Sequence, residues 1–312
     1  MTGASGFVGG AVATALARDG HEVLALGRRP AGWAPPAGGA GRYATWDLER
    51  GPVEAAAPEL ASELRAHPAD AVVHAAALAD DWAPLARAMR INRDGTAHVR
   101  AALPGARFVH VSSSSVADPR RPEVNAGAEP PATRHLGAYG ASKAAAERLL
   151  DGTDAVILRP HAVYGPGDTT LLPRIEAAAR GGRLRLPRGG RVRHSFTHID
   201  TLVDAVRLAL DPAARPGVYP IADAEPVLLA EVVTEFLARR GRPARIVAVP
   251  FALADGAAAL SEACARITGH RPRLTRYAVA QLGRERTYDL RAAREGLGLQ
   301  PRPTTLEGCE AW

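Results

Sequence analysis

Tyr139 and Lys143 stand four residues apart in Tyr139-Gly140-Ala141-Ser142-Lys143, at the head of a run with helical composition. Positions i and i+4 share one helix face, which sets a phenol beside an ammonium. A free tyrosine titrates near pH 10, too high for efficient proton transfer at neutral pH. A cation close by favours the tyrosinate, so Lys143 is expected to lower that value. Lys143 is also the one lysine among 39 Lys and Arg. Arginine does not readily shift its pKa or act as a compact point charge, so a lone lysine points to a position where arginine fails. Taken by itself the pair reads more simply as a surface pair at a helix start, and its chemistry depends on its company.

Two other segments supply that company. Ser112–Ser115 end an apolar run, where one hydroxyl can bond a substrate oxygen and steady developing negative charge. The chain opens Thr2-Gly3-Ala4-Ser5-Gly6-Phe7-Val8-Gly9 before a helical run. Glycines at 3, 6 and 9 allow a tight turn, close approach to a pyrophosphate, and close helix packing. The helix N-terminus then offers free N–H groups to phosphates. The next apolar run ends Leu26-Gly27-Arg28-Arg29, with no carboxylate at its end. An acidic residue there holds the ribose hydroxyls of NAD, whereas Arg28 and Arg29 favour the 2′-phosphate of NADP. Only Met1 precedes Thr2, although a glycine turn of this kind follows a central strand. Several more apolar residues are expected upstream.

The elements that position these groups follow from the pattern. Residues 21–26, 71–74, 107–112 and 155–158 read as strands, and 10–19, 84–102, 141–150 and 201–210 read as helices, with Pro84 suited to a first helical position. Such alternation predicts an α/β fold, a parallel sheet covered on both faces. Residues 1–166 with about 199–224 are expected to form the dinucleotide unit. A smaller C-terminal lobe is expected from about 167–198 with 225–312.

Hydrophobic residues are 46% and charged residues 23% of the 312, which suits a globular enzyme with a sizeable core. No window reaches 18 apolar residues, so no membrane span is expected. The start lacks a basic-then-apolar signal pattern, and the expected location is the cytoplasm. Cys264 and Cys309 have neither metal nor disulfide-framework spacing. Net charge is +6, but the arginines are dispersed and aromatics are 5%, which argues against nucleic acid and for small anionic partners.

The chain resembles the extended short-chain dehydrogenases/reductases, also called the NAD-dependent epimerase/dehydratase family. The resemblance rests on Thr2–Gly9, Asp47-Leu48, residues 74–77, Asn92-x-x-Gly95-Thr96, the serine cluster, Tyr139-x-x-x-Lys143, residues 158–166 and residues 193–200, in that order. It implies a Rossmann-type doubly wound parallel sheet with a substrate-binding lobe. It implies Ser113 as the catalytic hydroxyl, four before Ala117, where relatives carry tyrosine; Ser114 is the fallback. Tyr139 becomes the general acid, Lys143 its partner and a ribose contact, and Asn92 a support for the active-site region. Asp47 and Leu48 would flank the adenine, Ala75, Ala76 and Ala77 line the cofactor, and Pro160 and Val163 sit near the nicotinamide. A homodimer through the helices 84–102 and 141–150 is also implied.

Within that family the departures select among reactions. Ser113 is followed by Ser114-Ser115-Val116, without the acidic pair of sugar-nucleotide dehydratases. Ala162 stands where epimerases place asparagine, and Arg28/Arg29 oppose a tightly held NAD. Residues 158–168, with His161, look most like the 3β-hydroxysteroid dehydrogenase and 3-oxoalkanoate reductase branches. The expectation is an NADP(H)-dependent carbonyl reductase or secondary-alcohol dehydrogenase using Ser113, Tyr139 and Lys143. An epimerase comes second and a non-catalytic dinucleotide sensor third. Ser114, His161 and Arg193 are the candidate substrate contacts. Arg193 lies beside Arg180, Arg183, Arg185, Arg188 and Arg191, which suit an anionic group on the substrate or are simply solvated.

Overall fold

The computed structural model describes residues 1–312. The main sheet is parallel throughout. Strand Gly41–Thr45 pairs with Val23–Gly27, and Ala71–His74, Arg107–Val111, Val156–Pro160 and Gly217–Ile221 follow in that spatial order on the other side. The two parts meet through the backbone of residues 1–4. Leu26 N donates to Met1 O (2.7 Å) and Ala4 N to Leu26 O (3.1 Å), while Thr2 N donates to Val73 O (2.9 Å). Met1 and Thr2 thus stand in the central strand position that sequence reasoning assigned to residues upstream.

Alternation along the strands fixes the two faces, because successive side chains point to opposite sides. Val73, Val109 and Leu158 pack with Val12, Leu16, Leu202 and Val206, from helices Phe7–Arg18 and Ile199–Leu210. Their neighbours Val72, Phe108 and Ile157 pack with Leu60, Leu64 and Val99, from helices Pro58–Ala66 and Gly95–Ala102. The expected helix over 84–102 begins at Leu85, with Pro84 as N-cap rather than first helical residue. It holds a π-helical turn, Met89–Asp94, between its α-helical ends. The helix expected from 141 begins at Ala138, which sets Tyr139 in its first turn.

The lobe has its own core around Leu184, Leu186, Val233, Phe236 and Leu237. Parallel strands Arg183–Pro187 and Arg245–Val249 form one part of it. A mixed sheet orders Val227–Leu228, Arg193–His194, Arg286–Tyr288 and Glu123–Ala126. Glu123–Ala126 falls within the span expected to belong to the dinucleotide unit, yet it pairs with lobe strand Arg286–Tyr288. Helices Phe251–Thr268 and Arg276–Gly283 pack on one another and carry the lobe to the carboxyl edge of the main sheet. No helix is long and apolar enough to cross a membrane.

Candidate active site

A cleft of about 810 Å³ runs along the carboxyl ends of the strands, between sheet and lobe. Its floor at one end is the glycine turn. Gly3 has φ +78, and a Cβ there would lie 2.7 Å from Ala76 N. A Cβ on Gly9 would lie 2.1 Å from Gly3 O, so the helix sits directly on the turn. Gly6 is less confined: its Cβ would meet Gly3 O at 3.4 Å, ordinary contact. No side chain caps the helix start at Gly6, and Ser5, Gly6, Phe7, Val8 and Gly9 all line the cleft. Uncapped N–H groups beneath a turn with no room for a Cβ suit a pyrophosphate, so the residues present fit a dinucleotide.

Arg28 and Arg29 follow strand Val23–Gly27, both exposed and both lining the cleft. Arg29 donates to Ser5 O, and its own carbonyl accepts from Tyr43 Oη (2.8 Å), which folds the arginine pair over the turn. Asp47 accepts from Glu49 N (3.1 Å), capping a short 3-10 turn that holds Leu48 against Gly95. Asp47, Leu48, Ala75, Ala76 and Ala77 continue the same wall, and Pro160 and Val163 lie at the far end. The structure therefore brings the proposed cofactor residues together in one cleft, Lys143 excepted.

Ser113 and Tyr139 both line that far end. Ser113 is the N-cap of the 3-10 turn Ser114–Val116, and its Oγ accepts from Ser115 N at 3.1 Å. Tyr139 is half-buried, and burial pushes its phenol up to about 12 against the opposing hydrogen bond from Ser113. The expected downward shift by Lys143 is not what the structure has. Lys143 is 1% exposed, and its Nζ reaches beneath the helix to His110 Nε2 (2.9 Å) and Val111 O (2.8 Å), not to the phenol. The helical spacing gives a shared face, but the four-carbon stem ends on strand Arg107–Val111. Burial brings Lys143 down to about 7, with Glu147 opposing.

The Asn92 amide is engaged at both ends. The π turn directs its amide inward, where Oδ1 accepts from Leu78 N (2.7 Å) and Nδ2 donates to Leu78 O (3.2 Å) and Ser142 Oγ (2.8 Å). It ties helix Ala138–Leu149 to the cleft wall and does not itself line the cleft. The three candidate substrate contacts lie outside the cleft. Ser114 and His161 are buried against each other, Oγ to Nδ1 2.8 Å, because Ser114 points away from the cleft into the lobe sheet. Arg193 is exposed and donates to Pro226 O at 2.6 Å. None of the three lines the cleft.

Sequence reasoning missed Tyr277, from helix Arg276–Gly283, and the segment Thr169, Thr170, Leu171 and Arg174, all of which line the cleft. Tyr277 Oη lies 2.6 Å from Ser115 Oγ. No motif surrounds Tyr277, and a contact across 162 positions leaves no local trace.

Comparison with known proteins agrees with this geometry. The profile of the "NAD dependent epimerase/dehydratase family" matches residues 1–222. A 2-alkyl-3-oxoalkanoate reductase of Stenotrophomonas maltophilia is 34% identical, over 99% of this chain and 96% of its own length. A 4-hydroxy-2-methyl-3-oxo-4-farnesyl-3,4-dihydroquinoline-1-oxide ketoreductase of Stigmatella aurantiaca is 35% identical over 78% of this chain and 76% of its own. The solved structure of MoeE5 with UDP-glucuronic acid and NAD superposes with a TM-score of 0.68 at 27% identity, covering 99% of this chain and 95% of that one. With a cradle fit for a dinucleotide and a profile match over most of its length, the chain belongs to the NAD-dependent epimerase/dehydratase family, the extended short-chain dehydrogenases/reductases, and is an NAD(P)-dependent oxidoreductase.

Proposed function

We propose that the protein is an NADP-dependent ketoreductase acting on a 3-oxo group in an apolar, α-substituted skeleton. The observation that carries this reading is the placement of the Ser113 and Tyr139 hydroxyls on one wall of the cleft that begins at the glycine turn. A reduced nicotinamide bound in that cleft supplies a hydride. Ser113 then steadies the substrate oxygen, and Tyr139, protonated at neutral pH with its pKa near 12, gives the proton. A phenol held in its acid form suits reduction. Arg28 and Arg29, without a carboxylate beside them at the strand end, support the 2′-phosphate of NADP over NAD. Both reductases quoted above are named for a 3-oxo group next to a substituted carbon, which supports the substrate class.

The epimerase reading is supported by the likeness to MoeE5, but Ala162 offers no amide to a diphosphate. A homodimer through the two helices of the resemblance is supported by Leu85 (52% exposed) and Leu149 (46%), apolar side chains left open on those helices. The test is turnover of NADPH and of NADH with 2-alkyl-3-oxo esters and with UDP-sugars. The reading requires net NADPH oxidation with the ester and its near loss in Tyr139→Phe. Intact turnover in that variant, or UDP-sugar epimerisation without net oxidation, overturns it.

A further inference from the structure

We propose that helix Phe251–Thr268 docks the protein on the surface of a bilayer containing anionic lipid. The helix packs on Arg276–Gly283 through Ala254 and Ala258, which meet Val279. That is its inner face, and its outer face is apolar as well. Leu253, Leu260 and Ile267 are 67%, 65% and 86% exposed and recur every seven residues, with Gly256, Ala257 and Ala263 exposed between them. At 3.6 residues per turn these positions fall within about 120° of arc and extend for about 21 Å. None of them carries a charge. A helix apolar on opposite faces belongs in an interior, yet this one lies at the surface of the lobe, so its outer face calls for a partner.

Both ends of the stripe are cationic. At the N-terminal end the guanidinium groups of Arg188 and Arg284 lie 5.6 and 4.0 Å from the centre of the Phe251 ring. At the C-terminal end Arg266, Arg271 and Arg273 are all exposed. The two carboxylates of the helix are engaged: Asp255 pairs with Arg276 (3.0 Å), and Glu262 is buried and accepts from Arg276 N (2.8 Å). An apolar ridge between arginines matches the boundary of head groups and acyl chains, where the apolar side chains enter and the arginines meet phosphates. A second copy of the chain fits poorly. Two such helices laid together, parallel or antiparallel, set arginine ends against arginine ends. Three large side chains on one helix also fall short of the about 800 Å² per partner that a stable interface buries.

The outer face has a defined relation to the cleft. Arg266 lies over the Trp82 ring (5.3 Å), Arg271 bonds Asp80 Oδ1 (2.5 Å), and Thr275 donates to Asp81 Oδ2 (2.6 Å). Asp81 and Tyr277 line the cleft. Docking through the last turns of the helix therefore brings one wall of the cleft close to the bilayer, where apolar molecules partition. The inference concerns attachment alone and stands whichever reaction the site performs.

Co-sedimentation with vesicles of phosphatidylcholine alone, and of equal parts phosphatidylcholine and phosphatidylglycerol, tests it. The wild type is expected to bind the anionic vesicles at least about 10-fold more tightly, and less tightly as salt is raised. The triple variant Leu253→Ser, Leu260→Ser, Ile267→Ser should bind them at least about 10-fold less tightly. Arg273→Ala should cost about 5-fold. Circular dichroism should show the fold of the triple variant unchanged, because the three side chains face outward. If it unfolds, Ile267→Ser alone, in the last turn, takes its place and must also weaken binding. Binding to neither vesicle, equal binding to both, or undiminished binding by these apolar variants overturns the proposal. A mass that halves on substitution, read by sedimentation velocity without vesicles, assigns the face to a second copy and overturns it too.

Discussion

Lys143 Nζ lies 2.9 Å from Nε2 of His110, so the single lysine of the chain is bonded to a buried imidazole of the main sheet. Burial and the lysine charge hold His110 well below its ordinary value, and it stays neutral. As the acceptor of an ammonium proton at Nε2, it carries its own proton on Nδ1, an assignment made from the hydrogen bonds. Burial is what makes the lysine charge easy to lose.

That contact sets a pH dependence. Lys143, brought down to about 7, is an ammonium below that pH and neutral above it. The charged form would favour the phenolate left on Tyr139 after proton transfer from one helical turn away, without a bond to it. We expect kcat/KM for ketone reduction to fall above about pH 7, approaching tenfold per unit as one proton is lost. Lys143→Met should be slow and show no such decline. Rate profiles from pH 6 to 9 for both proteins decide it, and a flat wild-type profile would remove Lys143 from the proton chemistry.

Arg28 tests the cofactor choice more cleanly than Arg29, because Arg29 also holds Ser5 O. A hydrogen bond to a charged group contributes about 1.5–3 kcal/mol, which is roughly 10- to 150-fold in affinity. Arg28→Ala is expected to weaken NADPH binding by about that factor and leave NADH within about 3-fold. Fluorescence titration of the two reduced cofactors measures it. Equal losses for both would mean that Arg28 does not meet a 2′-phosphate.

Gly9 and Gly10 differ by one position and should behave oppositely. A Cβ on Gly9 would lie 2.1 Å from Gly3 O and 3.0 Å from Ala4 N, backbone atoms of the turn itself. Gly9→Ala is expected to displace the turn, to destabilise by about 1–3 kcal/mol or more as an overpacked site does, and to lose cofactor binding. A Cβ on Gly10 meets only Ala4 O, at 3.1 Å. Inside a helix the change to alanine recovers about 0.5–1 kcal/mol of backbone entropy, so Gly10→Ala should be near neutral. Denaturant unfolding with and without NADPH separates the two.

The parts legible in the sequence are those whose geometry is local. The glycine turn, the helix behind it and the Tyr139/Lys143 spacing each occupy a few consecutive residues, and backbone sterics decide them. The sheet was legible because buried parallel strands leave short β-branched runs. What escaped depends on distant partners. Spacing placed Lys143 beside Tyr139, but the direction of its stem is set by His110, 33 positions away. Ser113 and Ser114 are neighbours of the same type, and the turn aims one into the cleft and the other at His161. Arg193 followed the position of relatives, and here it meets Pro226 O on the surface.

Glu147 links stability to the site. Its carboxylate is buried and paired with Arg159, Nη2 to Oε2 2.5 Å and Nε to Oε1 3.0 Å, and it accepts a further hydrogen bond from Ser112. Removing one member of a buried pair leaves the other charge uncompensated and costs about 3–5 kcal/mol. Glu147→Ala is therefore expected to lower the unfolding free energy by that amount, as read by urea denaturation. The same carboxylate opposes the downward shift of Lys143. Glu147→Gln, which keeps the volume, should let the lysine lose its proton at a lower pH and move the decline of kcat/KM toward acid. The two effects are separable, since the first is read without substrate and the second on folded protein. A loss of stability with an unmoved pH profile would show that Glu147 supports the helix without acting on Lys143.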